Sequence, residues 1–206
     1  LKASGTTIDS EQKQVSKPSK YFETGLTGTY DVEIDNKIYD IKSASDWAFK
    51  NKFSMGFDAV VDKDVFGYKS QGYLYADAEN KKFGGWIVVN KSTGEMCIVS
   101  PPKNDAEHRK EALKVAEDNI KALMENKPFE RCFTDIEEKY RNKLTGNRVL
   151  DSVCSFCSFK QECWGDKIEY LPQQVFDSEG KPRSKSPRYY WYTHVADRGN
   201  NNGKEK

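Results

Sequence analysis

A chain of 206 residues, 36% hydrophobic and 32% charged, can bury one real core and a small appended module, with polar tails or extended surfaces left over. Lys and Arg total 33 against 32 Asp and Glu, which excludes a globally basic nucleic-acid binder and leaves only a local patch for that role. There is no long apolar run to span a membrane and no signal-peptide pattern, so the sequence reads as cytoplasmic, and an odd count of five cysteines points to an intracellular metal or cluster site rather than a disulfide framework.

Residues 1–20 are rich in Ser, Thr, Lys and Gln and read as a flexible arm; the start at Leu1 rather than Met reads as a fragment or processed form. Strands are predicted at 21–22, 29–34 and 37–43, with Gly25 and Gly28 punctuating the first pair and Asp35-Asn36 turning the second. Val32 and Ile34 alternate with Asp31, Glu33 and Asp35, the period of a half-buried strand. Ser45 or Asp46 caps a short helix through Lys50, and 51–62 reads as a mobile loop. A longer helix is predicted over about 64–80, with Asp62 or Asp64 near its start. Gly84-Gly85 opens a strand over 86–89, which turns at 91–94 into a second over 95–100. After Pro101-Pro102, a helix capped by Asn104 or Asp105 places Leu113, Ala116, Ile120 and Leu123 or Met124 at core spacing and closes at Pro128. From 129 to 170 the apolar period is lost and four of the five cysteines appear, so a bound metal is the expected source of order. Residues 171–206 form a basic-aromatic tail that ends in disorder from Arg198. The element order predicts an α/β fold, with a core over 21–128 built on a small central mixed sheet flanked by helices.

The acidic residues of the first strands carry the chemistry. Asp40 and Lys42 are two apart and share a strand face. Asp31 lies on the preceding strand, and antiparallel pairing can bring the two carboxylates close enough to share a cation. Such a cation would polarise a phosphoryl oxygen and acidify a water, while a neighbouring lysine neutralises charge building on the phosphate. An ordinary half-exposed hairpin with an Asp-Lys pair is the competing reading. On the long helix, Tyr68, Gln71 and Tyr75 share one face; they serve either as a packing face or as contacts to the site and to a phosphate or base.

Cys154-x2-Cys157-x5-Cys163, with Cys132 22 positions before Cys154, offers four thiolates, the set for tetrahedral Zn2+ or a 4Fe–4S cluster. Trp164 is expected to shield this module, and Cys97, His108 and His194 are expected to be structural or surface residues. Lys50, Lys52 and Lys63 flank the loop after the acidic strands. In the tail, Arg183, Lys185 and Arg188 precede Tyr189, Tyr190, Trp191 and Tyr192, which either contact DNA or pack back on the domain.

Gly28-Thr-Tyr-Asp31, Asp40-Ile-Lys42 and Gln71-x3-Tyr75 together resemble the PD-(D/E)XK superfamily, and more narrowly its RecB-like exonuclease branch, which includes CRISPR-associated and phage nucleases. The resemblance covers about residues 21–165. It implies a restriction-endonuclease-like core in which Asp31, Asp40 and the Ile41 carbonyl bind Mg2+ or Mn2+ and Lys42, Gln71 and Tyr75 serve catalysis. Tyr68, Lys50, Lys52 and Arg188 are then the expected nucleic-acid contacts. The C-x2-C-x5-C spacing strongly resembles the branch's C-terminal cluster motif, with Cys132 standing as the fourth ligand where the branch has an N-terminal cysteine; the ligand set is a 4Fe–4S cluster, with Zn2+ the alternative. The branch's N-terminal helix with its His or Glu has no counterpart in residues 1–20, and Glu23 is the nearest substitute. The expected function is a metal-dependent DNA exonuclease acting at a free end in DNA processing, recombination or phage replication, in a bacterial or phage-infected cell and without a membrane partner. A non-catalytic DNA-binding module of the same fold and an endonuclease are the alternatives.

Overall fold

The structure, a computed structural model, describes residues 5–20, 22–62, 64–128 and 131–196, with only the backbone of 22–24. The expectations placed on residues 1–4, Tyr21, the Glu23 side chain, Lys63 and the chain end from 197 lie outside the described residues. The chain divides into two compact units, Leu1–Lys127 and Pro128–Lys206, and is mixed α/β with two sheets. Among the described residues no helix is long and apolar enough to cross a membrane.

In the first unit β1 (Ser10–Ser19), β2 (Phe22–Ile34), β3 (Lys37–Ala44), β4 (Lys82–Asn90) and β5 (Met96–Val99) form one sheet in the order β1-β2-β3-β4-β5. Every pair is antiparallel except β3–β4, which is parallel. A parallel pair needs a crossover, and here it carries α1 (Asp46–Asn51), α2 (Phe57–Val61) and α3 (Tyr68–Ala78). After β5, α4 (Ala106–Met124) packs on α3. The core gathers Tyr30, Ile38, Phe49, Phe53, Phe57, Val60, Tyr73, Phe83, Trp86 and Val88. The β3–β4 register shifts between Ile38 and Tyr39 because Gly84 is an extra residue of β4, followed by Gly85 at φ +121°. A Cβ there would run into the Val99 carbonyl oxygen, so only glycine permits the register that sets Asp40 opposite Trp86 and Lys42 opposite Val88.

Several local expectations change. Ser10–Ser19 is an edge strand rather than part of a flexible arm; a single buried apolar residue, Val15, anchors it, and its backbone pairing to β2 supplies the rest. The 51–62 segment is not a loop: a short 3-10 turn at Phe53–Met55 and α2 bury Phe53, Phe57 and Val60. On α4, Ala112 is buried, but Leu123 and Met124 are exposed; the helix meets α3 rather than the sheet, so its apolar stripe is covered over part of its length. Leu113, Ala116 and Ile120 instead line a groove of about 510 Å3 with Leu26 and Leu74.

The second unit has a sheet of its own: β6 (Asp135–Tyr140), β7 (Lys143–Leu150), β8 (Glu169–Pro172) and β9 (Tyr189–His194), in the order β6-β7-β9-β8 and antiparallel throughout. Between β7 and β8 stand α5 (Ser152–Phe156) and α6 (Lys160–Trp164). The boundary expected near residue 170 therefore cuts through one sheet, and the supposed tail contributes its β9. Leu150, Cys154, Trp164 and Ile168 form a small core. On the other side, Tyr192 donates to Glu138 Oε1 (2.8 Å) and accepts from the Gln174 amide (2.8 Å), while Asn147 donates to Glu138 Oε2 (2.7 Å). Burial, with Glu138 alongside, pushes the Tyr192 phenol well above its usual range. The Glu138, Asn147, Gln174 and Tyr192 contacts involve no cysteine, whereas the small core includes Cys154.

Candidate active site

The β2–β3 hairpin turns on Asp35 and Asn36, both at positive φ (50° and 57°), the mirror-image turn that matches strand twist. Its register pairs Val32 with Tyr39, which sets Asp31 and Asp40 one step beyond. The Ile41 amide donates to Asp31 Oδ2 (2.6 Å) and Gln12 on β1 donates to Asp31 Oδ1 (3.1 Å). Sequence reasoning missed Gln12. It lies in the strand read as an arm, at φ 50°, and no local motif marks it.

Asp40 is 5% exposed. Burial raises its pKa above the usual carboxylate range; the Lys42 ammonium pulls it down, and the neighbouring Asp31 pushes it up again. Lys42 Nζ lies 2.6 Å from Asp40 Oδ2 as an ion pair, which offsets the burial of the carboxylate. Lys42 Nζ also donates to Gln71 Oε1 (3.0 Å) and sits 4.4 Å above the Tyr68 ring; Gln71 Nε2 in turn donates to the Tyr75 hydroxyl (3.1 Å). The helix face read from the sequence is thus assembled around the lysine. Its start is fixed by Asp64, which accepts from the Tyr68 and Lys69 amides (2.9 and 2.7 Å). Gly28 makes room for Tyr75: a Cβ there would stand 2.5 Å from Tyr75 Cε1.

Asp31, Asp40 and the Ile41 carbonyl offer hard oxygen donors, the kind that suits Mg2+ or Mn2+, and the buried Asp40 carboxylate beside the charge of Asp31 fits a cation between them. Among the described residues no group of three or more His, Cys, Asp or Glu side chains is placed to hold a metal ion, so this set stands at two carboxylates. The cysteines are likewise not gathered into such a group. Cys154 is buried, Cys157 and Cys163 are half-buried and Cys132 is exposed. Burial raises the Cys154 thiol pKa, and the charges of Cys157 and Cys163 add to the shift, so these three share one neighbourhood. The chain at Cys132 is tied to it by Arg131, which donates to the Cys163 carbonyl (2.8 Å) and stacks over Trp164 (4.2 Å).

The remaining candidates scatter. Lys52 lies 5.8 Å from the Tyr68 ring and so borders the site, whereas Lys50 pairs with Asp46 (3.0 Å). Arg188 precedes β9 in the second unit, whereas Asp31 and Asp40 belong to the first. Cys97 on β5 is half-buried, its thiol pushed up by burial. His108 meets the Phe57 ring edge-on at 5.1 Å, and His194 is an exposed residue of β9. Compared with known proteins, the chain matches no protein-family model and no curated protein.

Proposed function

We propose that the first unit is a Mg2+- or Mn2+-dependent DNA nuclease of the PD-(D/E)XK kind, acting as an exonuclease of the RecB-like type. The observation that carries this reading is the buried Asp40 carboxylate, set beside Asp31 and paired to Lys42 at 2.6 Å. Asp31, Asp40 and the Ile41 carbonyl would hold the cation, which supplies polarisation of a phosphodiester and a lowered pKa for the attacking water. Lys42, pinned by Gln71 and Tyr68, keeps a positive charge where negative charge builds on the phosphate. Tyr75 orients Gln71, and Gln12 and the Ile41 amide orient Asp31. In the second unit, Cys154, Cys157, Cys163 and Cys132 are proposed to hold a 4Fe–4S cluster or Zn2+; the support is their spacing and the proximity of the first three.

The test is cleavage of linear and circular single-stranded DNA with Mn2+ present. Degradation of linear DNA alone supports the exonuclease, and cleavage of circles makes it an endonuclease. Near-parental cleavage by a folded Asp40→Ala protein would overturn the site. A non-catalytic DNA-binding module is the second reading, favoured by the lack of a third acidic ligand among the described residues; DNA binding without any cleavage would establish it. Visible absorption and metal analysis of the purified protein separate iron–sulfur from zinc.

A further inference from the structure

The β8–β9 face of the second unit carries a row of aromatic rings in tilted contact, on residues outside the candidate active site. Tyr170 on β8 lies opposite Trp191 on β9, with ring centroids 4.9 Å apart, and 5.3 Å from Tyr189 in the same strand as Trp191. Strand alternation puts Tyr189 and Trp191 on one face and turns Tyr190 and Tyr192 to the other. Tyr192 is buried there, which explains its conservative packing role and leaves the opposite face unexplained. Tyr170 and Tyr189 are 54% and 55% exposed. Trp191 is anchored on one side, packed against the Leu150–Cys154–Trp164–Ile168 core. Buried Tyr192 spends its hydroxyl on Glu138 and the Gln174 amide, whereas the Tyr170 and Tyr189 rings are open to solvent.

A cation borders the row: Lys160 on α6 sits 5.4 Å from the Trp191 ring. The stretch 181–194 leading into β9 holds Lys181, Arg183, Lys185 and Arg188 and no Asp or Glu; Lys181 pairs with Glu179 (2.9 Å), and alternation turns Arg188 to the Tyr190 and Tyr192 face. On β8, alternation turns Glu169 away from the face that Tyr170 occupies. An acidic or purely apolar partner would leave half of this surface unused. Flat rings beside cations suit a chain that offers unstacked bases along a phosphate backbone, because any base presents a π-face and each phosphate a charge.

We propose that Tyr189, Tyr170 and Trp191 form a base-stacking platform for single-stranded nucleic acid, with Lys160 meeting a phosphate beside it. The platform stands on residues separate from Asp31, Asp40 and Lys42 and does not depend on their chemistry. A duplex keeps its bases stacked inward and cannot use these rings.

The experiment is fluorescence anisotropy of labelled oligo(dT), oligo(U) and a matched DNA duplex with the full chain in buffer free of divalent cation. Either oligomer binding more tightly than the duplex is the expected result, and the tighter of the two names the strand. Tyr170→Ala and Tyr189→Ala, both exposed and so tolerated by the fold, should each weaken binding on the order of tenfold, while Tyr170→Phe keeps the parental affinity. Raising the salt should weaken binding further, as phosphate contacts require. Unchanged affinity in the folded Tyr170→Ala/Tyr189→Ala double variant would overturn the platform, as would equal affinity for duplex. Concentration-dependent dimerisation lost in the same double variant, with no oligomer binding, would make the row a contact between copies of the chain instead. Failure of the nuclease reading looks different: oligomer binding persists and no cleavage appears when Mn2+ is added.

Discussion

Replacing Gly28 by Ala tests how β2 positions the candidate site. The added methyl would lie 2.5 Å from Tyr75 Cε1 and 3.3 Å from Cζ. Carbon atoms rest at about 3.5–4.0 Å from one another, so the ring must retreat by about 1 Å. It cannot do so freely, because its hydroxyl accepts from Gln71 and its helix is seated through buried Gly72, Tyr73 and Ala76. Overpacking of this kind costs about 1–3 kcal/mol, offset by roughly 0.5–1 kcal/mol from removing a glycine from a strand. A net loss of about 1–2 kcal/mol should lower the midpoint of thermal unfolding by several degrees in a unit of this size. Thermal unfolding of Gly28→Ala, Tyr75→Ala and the double variant forms a closed cycle. In the Tyr75→Ala background the methyl enters vacated space, so Gly28→Ala should there be neutral or slightly stabilising. Equal destabilisation with and without the Tyr75 ring would refute the reasoning. If nuclease activity is found, Gly28→Ala should also lower it, through the chain from Tyr75 to Gln71 to Lys42.

Asp40→Asn should alter how stability depends on pH. The folded-state pKa of Asp40 is raised, chiefly by burial, so the parent loses stability as pH climbs from the unfolded value of 3.8 through the folded one; the gap between variant and parent should open over that window and then level off. A constant gap at all pH values in denaturant titrations would refute this. Asp64→Ala removes the acceptor for two amides at the start of α3 and should cost about 1 kcal/mol, measured by urea unfolding; no change would show that solvent replaces it. Tyr192→Phe leaves Glu138 Oε1 and the Gln174 amide without their shared partner and should cost about 1–3 kcal/mol, with loosening confined to the second unit in hydrogen exchange. Cys157→Ser should lower the content of bound metal and expose 151–165 to limited proteolysis while β6–β9 stays protected, because that sheet has its own buried contacts; unchanged metal content would remove Cys157 from the ligand set.

What the sequence by itself determined is local. The alternation of Val32 and Ile34 with acidic residues, the Asp35-Asn36 turn and the two-residue step from Asp40 to Lys42 specify a hairpin with its charged side chains on known faces, because strand period and turn chemistry act over a few residues. The common face of Tyr68, Gln71 and Tyr75 follows from helical spacing in the same way. Tertiary structure decided the rest. Ser10–Ser19 has one buried apolar side chain and becomes a strand only because β2 offers it an edge, which is also how Gln12 reaches Asp31. The second sheet joins β7 to β9 across some forty intervening residues, a pairing that no window of sequence contains. The burial of Asp40 likewise depends on α3 and β4 closing around it: an aspartate on a strand reads as half-exposed until other elements remove its water, and that removal is what raises its pKa.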